Sequence, residues 1–177
     1  EQENFRDRLE ETLEQFRRAA VEQDFRATTS EAEELARQER ALADAMREED
    51  NPELRARQQS ELGERADELQ VRMEGLQERL SEIDEEDAAA GVEQAGESMR
   101  KAREKMQQAQ QQASDGQNAE AGEEADDAAE QLEQVAQELE DAQNQMAQQQ
   151  AEAAQAYARL QGLIFPGDAE RVAGFEA

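Results

Sequence analysis

The chain contains no histidine, no cysteine and no tryptophan, and only two of its 177 residues are proline. Without histidine and cysteine, the common zinc sites, thiol nucleophiles and serine–histidine triads lack their essential groups. Carboxylates are the only plentiful catalytic group, and two-carboxylate chemistry needs them to converge in a concave pocket. A thin helical protein with acids on its outer faces offers no such pocket, so the sequence predicts no enzyme and no cofactor.

Acidic residues are abundant, but their spacing does not match a calcium loop. Such a loop alternates its oxygen ligands, has glycine at its sixth position and ends on a glutamate. Residues 84–87 are four consecutive acids, and Gly91 is out of register with them. Asp115 and Gly116 lack the preceding ligands. We therefore expect no specific metal site.

Positive charge is scarce, because 19 Lys and Arg stand against 46 Asp and Glu and give a formal net charge of −27. A field of this sign repels nucleic acid and anionic lipid, so neither is an expected partner. Lysine is rarest, with only Lys101 and Lys105. An acid-rich, lysine-poor surface suits a high-salt host. A helical rod that simply carries its charges outside explains it equally, and both interpretations stay open.

Long apolar runs are also missing. The longest useful run covers residues 163–165, whereas a membrane-spanning helix needs about 18 apolar residues. We therefore expect no direct membrane insertion by this chain. The sequence begins at Glu1 without a charged-then-apolar leader, which suggests a processed form or a piece of something longer.

The remaining composition favours long helices, since Ala, Glu, Gln, Leu and Arg are good helix formers and β-branched residues are few. In residues 1–29, one apolar face predicts an N-terminal helix through the spacing of Phe5, Leu9, Leu13, Phe16 and Ala20. Residues 28–30 interrupt this pattern, and Ser30 with Glu33 forms a capping box for a second helix. That helix ends before Pro52, which suits the first turn of the next one.

Residues 30–83 are interpreted as a helical pair and residues 88–160 as an antiparallel helical hairpin. In both, apolar residues alternate by three and four, which predicts a seam for another helix. Turn residues at 114–118, including Gly116, separate the two halves of the hairpin. The predicted seam residues are Ala66, Leu69, Met73, Leu76, Leu80, Ile83, Val92, Met99, Met106, Leu132, Val135, Leu139 and Met146.

Together these segments predict an all-α fold, namely an elongated antiparallel helical bundle or coiled coil with a long C-terminal helical hairpin. Residues 161–177 differ, because they form an apolar, glycine-punctuated tail. Two interpretations of this tail stay open. It is either a frayed terminus or a segment whose Phe165 and Phe175 dock on a helix or on a partner domain.

Three stretches carry a family resemblance: residues 34–43 (ELARQERALA), residues 63–69 (GERADEL) and the segment 99–139. They resemble the glutamine-rich helical region of large bacterial membrane-anchored proteins known as a domain of unknown function. In that family, transmembrane helices precede a long envelope-facing helical segment. The resemblance implies an envelope setting only if this sequence is a fragment or cleaved product, since no transmembrane helix is present. It implies no catalytic residues.

The sequence therefore favours a non-enzymatic structural or protein-interaction module, a coiled-coil scaffold of a bacterial envelope assembly. Its expected partners are other proteins, or further copies of the chain, bound through the helical seams. The alternative is an acidic chaperone-like protein or decoy that binds basic proteins through charge. The compartment is periplasmic or envelope-associated if the resemblance holds, and cytoplasmic otherwise.

Overall fold

The computed structural model describes residues 2–48 and 51–164, and these residues form four packed α-helices without any strand. The expected all-α class is confirmed. The helices are α1 Gln2–Glu48, α2 Pro52–Glu82, α3 Glu86–Ser114 and α4 Asn118–Ile164. α1 and α4 each have 47 residues, or about 70 Å at 1.5 Å per residue.

Local chemistry sets the helix ends that the sequence predicted. Pro52 occupies the first turn of α2, and the side chain of Asn51 accepts a hydrogen bond from the backbone N–H of Leu54. Asp84, in the turn between α2 and α3, has a φ of 60°, and Gly116, in the turn before α4, has a φ of 76°. Both turns use the left-handed region, where glycine and aspartate are tolerated.

The helix break predicted at residues 28–30 is wrong, because α1 runs through them without interruption. The Thr28 hydroxyl donates to the carbonyl oxygen of Asp24 at 2.7 Å, which ties it to the preceding helical turn, and Ser30, the predicted cap, lies inside α1. Thr28 is also buried, between Phe25 and Ala32 on one face. The apolar contacts on this face therefore override the local preference for a break.

Each helix packs against two neighbours, in the ring order α1, α2, α3, α4 and back to α1. Ion pairs give the direction of the helices: Arg79 pairs with Asp24 and Arg65 with Glu31, so α2 runs opposite to α1. The connections of three residues between α2 and α3 and between α3 and α4 make the remaining neighbours alternate in the same way. α1 is thus packed between α2 and α4.

The interior of the bundle is thin and rich in alanine. α3 and α4 alternate small and larger buried residues, such as Ala95 with Met99 and Ala128 with Leu132. A Cβ atom added to Gly91 would lie only 2.7 Å from the Cβ of Ala142, so α3 and α4 approach closely at this level. Small residues along one core line make this close approach possible.

Candidate interaction surface

Two helices continue beyond the end of the bundle. Gln150 of α4 donates a hydrogen bond to Glu85 in the turn between α2 and α3, and Arg79 near the end of α2 pairs with Asp24 of α1. The connection between α2 and α3 therefore lies at the height of Gln150 in α4. In α1 the same height is about one helical turn from Asp24 toward the N-terminus. We call residues 21–48 and 51–150 the body, residues 5–20 the α1 arm and residues 151–160 the α4 arm.

The α1 arm exposes large apolar side chains along one face. Phe5 and Phe16 are each 70% exposed, Leu9 is 60% and Leu13 is 51% exposed, and we call these four residues the α1 stripe. Phe25, only nine residues after Phe16, is completely buried. Exposed apolar residues are ordinary when scattered singly, but a contiguous row of four indicates an interaction site.

The α1 stripe does not continue the buried line of the body. That line includes Val21, Phe25 and Thr28. Extended toward the N-terminus with the same spacing, it passes through positions 18, 14, 11 and 7, which are occupied by Arg, Glu, Glu and Asp. At 3.6 residues per turn, the α1 stripe lies about 150° around the helix from this line. It therefore faces away from the extended axis of the bundle core.

The α4 arm adds a smaller apolar surface. Tyr157 is 65% exposed and Leu160 is 56% exposed. Two ion pairs give the register of α1 against α4: Arg40 pairs with Glu133, and Arg47 pairs with Asp126. Seven residues forward along α1 therefore correspond to seven residues back along α4. Continued in the other direction, this register places Tyr157 level with Phe16 and Leu160 level with Leu13. The apolar residues of the two arms therefore lie at the same height along the molecule.

Charge separates the arms from the body. The α1 arm contains four arginines and four acids, and the α4 arm contains Glu152 and Arg159, so each arm has a formal net charge of zero. The whole net charge of −27 is carried elsewhere in the chain. Some arm charges also pair within the helix, since Arg6 bonds Glu10 and Arg18 bonds Glu14. The arms are thus segments without net charge in a strongly acidic protein.

The predicted seam residues lie inside the body. All except Ile83 are buried, and Ile83 is partly buried against the same core; the buried set is Ala66, Leu69, Met73, Leu76, Leu80, Val92, Met99, Met106, Leu132, Val135, Leu139 and Met146. Other proteins or further copies of the chain were expected to bind through these seams, but the structure leaves the buried seam residues no exposed area for a partner. These residues pack against the chain's own helices. Phe165 and Phe175 lie outside the described residues.

The α1 stripe is a row of four apolar side chains that the structure leaves uncovered, and the sequence showed it as a helical face without indicating a site. A usable signal was present in the sequence. The apolar positions shift to a different side of the helix between Ala20 and Val21, and a stripe that changes sides cannot face one core throughout.

One buried polar pair joins α1 to α2. Glu39 is completely buried, and Gln59 donates a hydrogen bond of 2.5 Å from its Nε2 to the Glu39 carboxylate. The second carboxylate oxygen of Glu39 and the amide oxygen of Gln59 have no partner. Burial raises the pKa of Glu39 to about 8, and the hydrogen bond from Gln59 opposes this effect only in part. The pair is a polar contact between α1 and α2 inside the bundle.

Charged contacts between helices lie at the surface. Lys105 of α3 donates to Asp127 and Glu124 of α4, each at 2.8 Å, and these hydrogen bonds raise the pKa of Lys105 above its ordinary value. Exposed pairs of this kind contribute little to stability. The described residues contain no group of three or more acids placed to share a metal ion.

Among residues 2–48 and 51–164, no helix combines the length and the apolar character needed to cross a bilayer. Comparison of the chain with protein-family models, curated proteins and solved structures found no significant match.

Proposed function

We propose that this protein is a non-enzymatic interaction module, in which a closed helical body carries the α1 arm as its adhesive surface. The observation that carries the proposal is the α1 stripe, four apolar side chains that are at least half exposed on a helix projecting past the body. A row of this size on a soluble surface is costly to leave in water unless another surface covers it.

The body and the α1 arm differ in the apolar area that they expose, and this difference supports the proposed function. The large core residues of the body, such as Leu69, Met99 and Leu139, are covered by neighbouring helices and have no exposed area to offer a partner. The stripe is rigidly presented, because α1 is one helix of 47 residues and more than half of it is packed in the body. A preorganised helix face binds with a smaller entropy cost than a loop.

Within this proposal the body is a coiled-coil-type bundle, and α3 with α4 forms its antiparallel hairpin. The buried residues of both helices alternate by three and four, as in Val92, Ala95 and Met99 or Leu132, Val135 and Leu139. We further propose that the protein is a scaffold in a bacterial envelope assembly. This part of the proposal rests on the resemblance of residues 34–43 and 63–69 to the glutamine-rich helical region of large bacterial membrane-anchored proteins.

Site-specific photo-crosslinking tests the proposed function. A photoreactive amino acid in place of Leu9 should give one discrete crosslinked species in the cells that produce the protein. The matched control is the same amino acid in place of Val71, which is 66% exposed on the body and outside the arm. Equal crosslinking from Leu9 and Val71, or none from Leu9, would reject the arm as an interaction surface.

A second candidate function rests on charge. The net charge of −27 lies entirely outside the arms, so an acidic chaperone-like protein or decoy would bind basic proteins through the body. This function requires binding to a basic protein such as a histone at 50 mM salt and its loss at 500 mM salt. Absence of binding at 50 mM salt would exclude it.

A further inference from the structure

We propose that the partner of the α1 arm is the α1 arm of a second copy of this chain, bound antiparallel through the α1 stripe. The proposal rests on the proposed function, because it names the occupant of the same surface. The symmetry of the stripe, the charge of the arm and the exposed area point to this occupant.

The order of residues in the stripe suits a twofold axis. Reading from either end, the stripe gives Phe, Leu, Leu and Phe, at positions 5, 9, 13 and 16. In a twofold interface each surface must be complementary to itself, so that a residue at one end meets the residue at the other end of the partner. An antiparallel pair of arms places Phe5 level with Phe16 of the second copy and Leu9 within one residue of the level of Leu13. A phenylalanine therefore meets a phenylalanine and a leucine meets a leucine.

The charge of the arm favours a copy of itself over a strongly charged partner. Two proteins of net charge −27 repel each other, and that repulsion is strongest between their bodies. The α1 arm has a net charge of zero, and it holds the two copies together at the end of the molecule farthest from most of the acidic surface. A strongly basic partner would gain no Coulomb attraction from this arm.

The exposed area is sufficient for a weak dimer. A phenylalanine buries about 200 Å² when fully covered, so 70% exposure of Phe5 and Phe16 leaves about 140 Å² on each. With Leu9 and Leu13 the stripe offers about 450 Å² per chain, or about 900 Å² for two copies. Stable interfaces bury at least about 1,000 Å² in total, and the smaller area available here predicts a weak, reversible dimer.

Sedimentation equilibrium of the purified full chain tests the proposal. The weight-average mass should rise from the monomer value of 19.9 kDa toward twice that value between about 10 μM and 1 mM protein, as a weak interface requires. Association should strengthen from 50 mM to 500 mM salt, because salt screens the repulsion of the bodies and leaves the apolar contact intact. A monomer throughout this range would overturn the proposal.

A double variant, Leu9→Gln with Leu13→Gln, should weaken the dimer at least about tenfold, because it removes the centre of the stripe on both copies. Glutamine forms helices well, so the arm keeps its conformation. The matched control is Leu54→Gln with Val71→Gln, which changes two exposed aliphatic residues of the body and should leave the dissociation constant unchanged. Equal effects of the two double variants would overturn the proposal.

The absence of cysteine makes the orientation directly testable. In an antiparallel dimer, a mixture of Phe5→Cys and Phe16→Cys chains should form disulfide-linked heterodimers on mild oxidation. Neither variant alone should crosslink, because equivalent positions lie about 16 Å apart at 1.5 Å per residue. Crosslinking of Phe5→Cys with itself and not with Phe16→Cys would show a parallel pair and overturn the proposal.

Failure of this inference is distinguishable from failure of the proposed function. If the purified chain stays monomeric while Leu9 crosslinks to a different protein in cells, the arm is an interaction surface with another partner. If Leu9 crosslinks to nothing, the interaction surface itself is wrong.

Discussion

The body and the α1 arm belong to the same protein and partly to the same helix, yet their apolar residues have opposite environments. Val21 is 2% exposed and Phe16, five residues earlier on α1, is 70% exposed. The helix is continuous between them, so secondary structure does not account for the difference. The covering helices do, because α2 ends at Glu82 and α3 begins at Glu86, both at the level where the arm starts. Apolar periodicity therefore indicates a surface to be covered and not which molecule covers it.

The largest expected difference between the two regions lies in truncation of leucine. Leu132→Ala in the body should lower the free energy of unfolding by about 3–5 kcal/mol, because it removes a fully buried side chain and leaves a cavity. Leu13→Ala in the arm should change it by less than about 0.5 kcal/mol for the monomer. Urea unfolding followed by circular dichroism at a concentration below association measures both. Similar losses in the two variants would contradict the division into body and arm.

The second prediction concerns the buried carboxylate of Glu39 and tests how well the body excludes water from it. Glu39 has a pKa of about 8 in the folded protein and about 4.5 when unfolded. Between these values the folded state binds more protons, so stability is fully present below about pH 4.5 and is lost as pH rises through about 8. Glu39→Gln should therefore stabilise the protein by about 2–4 kcal/mol at pH 8.5 and by much less at pH 5.

Unfolding curves of wild type and Glu39→Gln across pH 4.5 to 9 measure this effect. The matched control is Glu33→Gln, an exposed carboxylate on the same helix, which removes the same charge without removing a buried one. A Glu39→Gln protein whose stability has the same pH dependence as wild type would show that water reaches this carboxylate.

The smallest expected effect compares two glycines of α3. A methyl group at Gly91 meets Ala142 at 2.7 Å, whereas one at Gly96 has nothing within 4 Å. Gly96→Ala should stabilise the body by about 0.5–1 kcal/mol through helix propensity. Gly91→Ala should destabilise it by about 1 kcal/mol, because overpacking outweighs the same gain. Thermal melting of the two variants gives the signs, and a gain for both would mean that α3 and α4 are less closely packed.

Much of the fold was predictable from the sequence. Pro52 and Gly116 mark chain turns through backbone chemistry that depends on neighbouring residues only. The three-four spacing from Ala66 to Met146 picked out residues that are now found buried, except for the partly covered Ile83. Such patterns are local, because a helix places residues three and four apart on one face whatever lies beside it.

The features that the sequence did not predict correctly all depend on tertiary packing. Residues 28–30 look like a helix start, but Thr28 is held in α1 by burial and by its bond to Asp24. Glu39 resembles the other acids in the sequence and is distinguished only by its buried contact with Gln59. The α1 stripe was visible as a helical face, but its exposure depends on where α2 ends and α3 begins.

The sequence by itself determined that this chain is helical, that turns fall near Pro52, Asp84 and Gly116, which faces are apolar and that acids far outnumber bases. These properties follow from backbone preferences and from side-chain order along one helix. Only the tertiary structure decided which apolar faces cover each other, that Glu39 is buried and that Phe5, Leu9, Leu13 and Phe16 remain in water. Burial is a property of pairs of surfaces, and the pairing depends on the lengths and positions of helices distant in the chain.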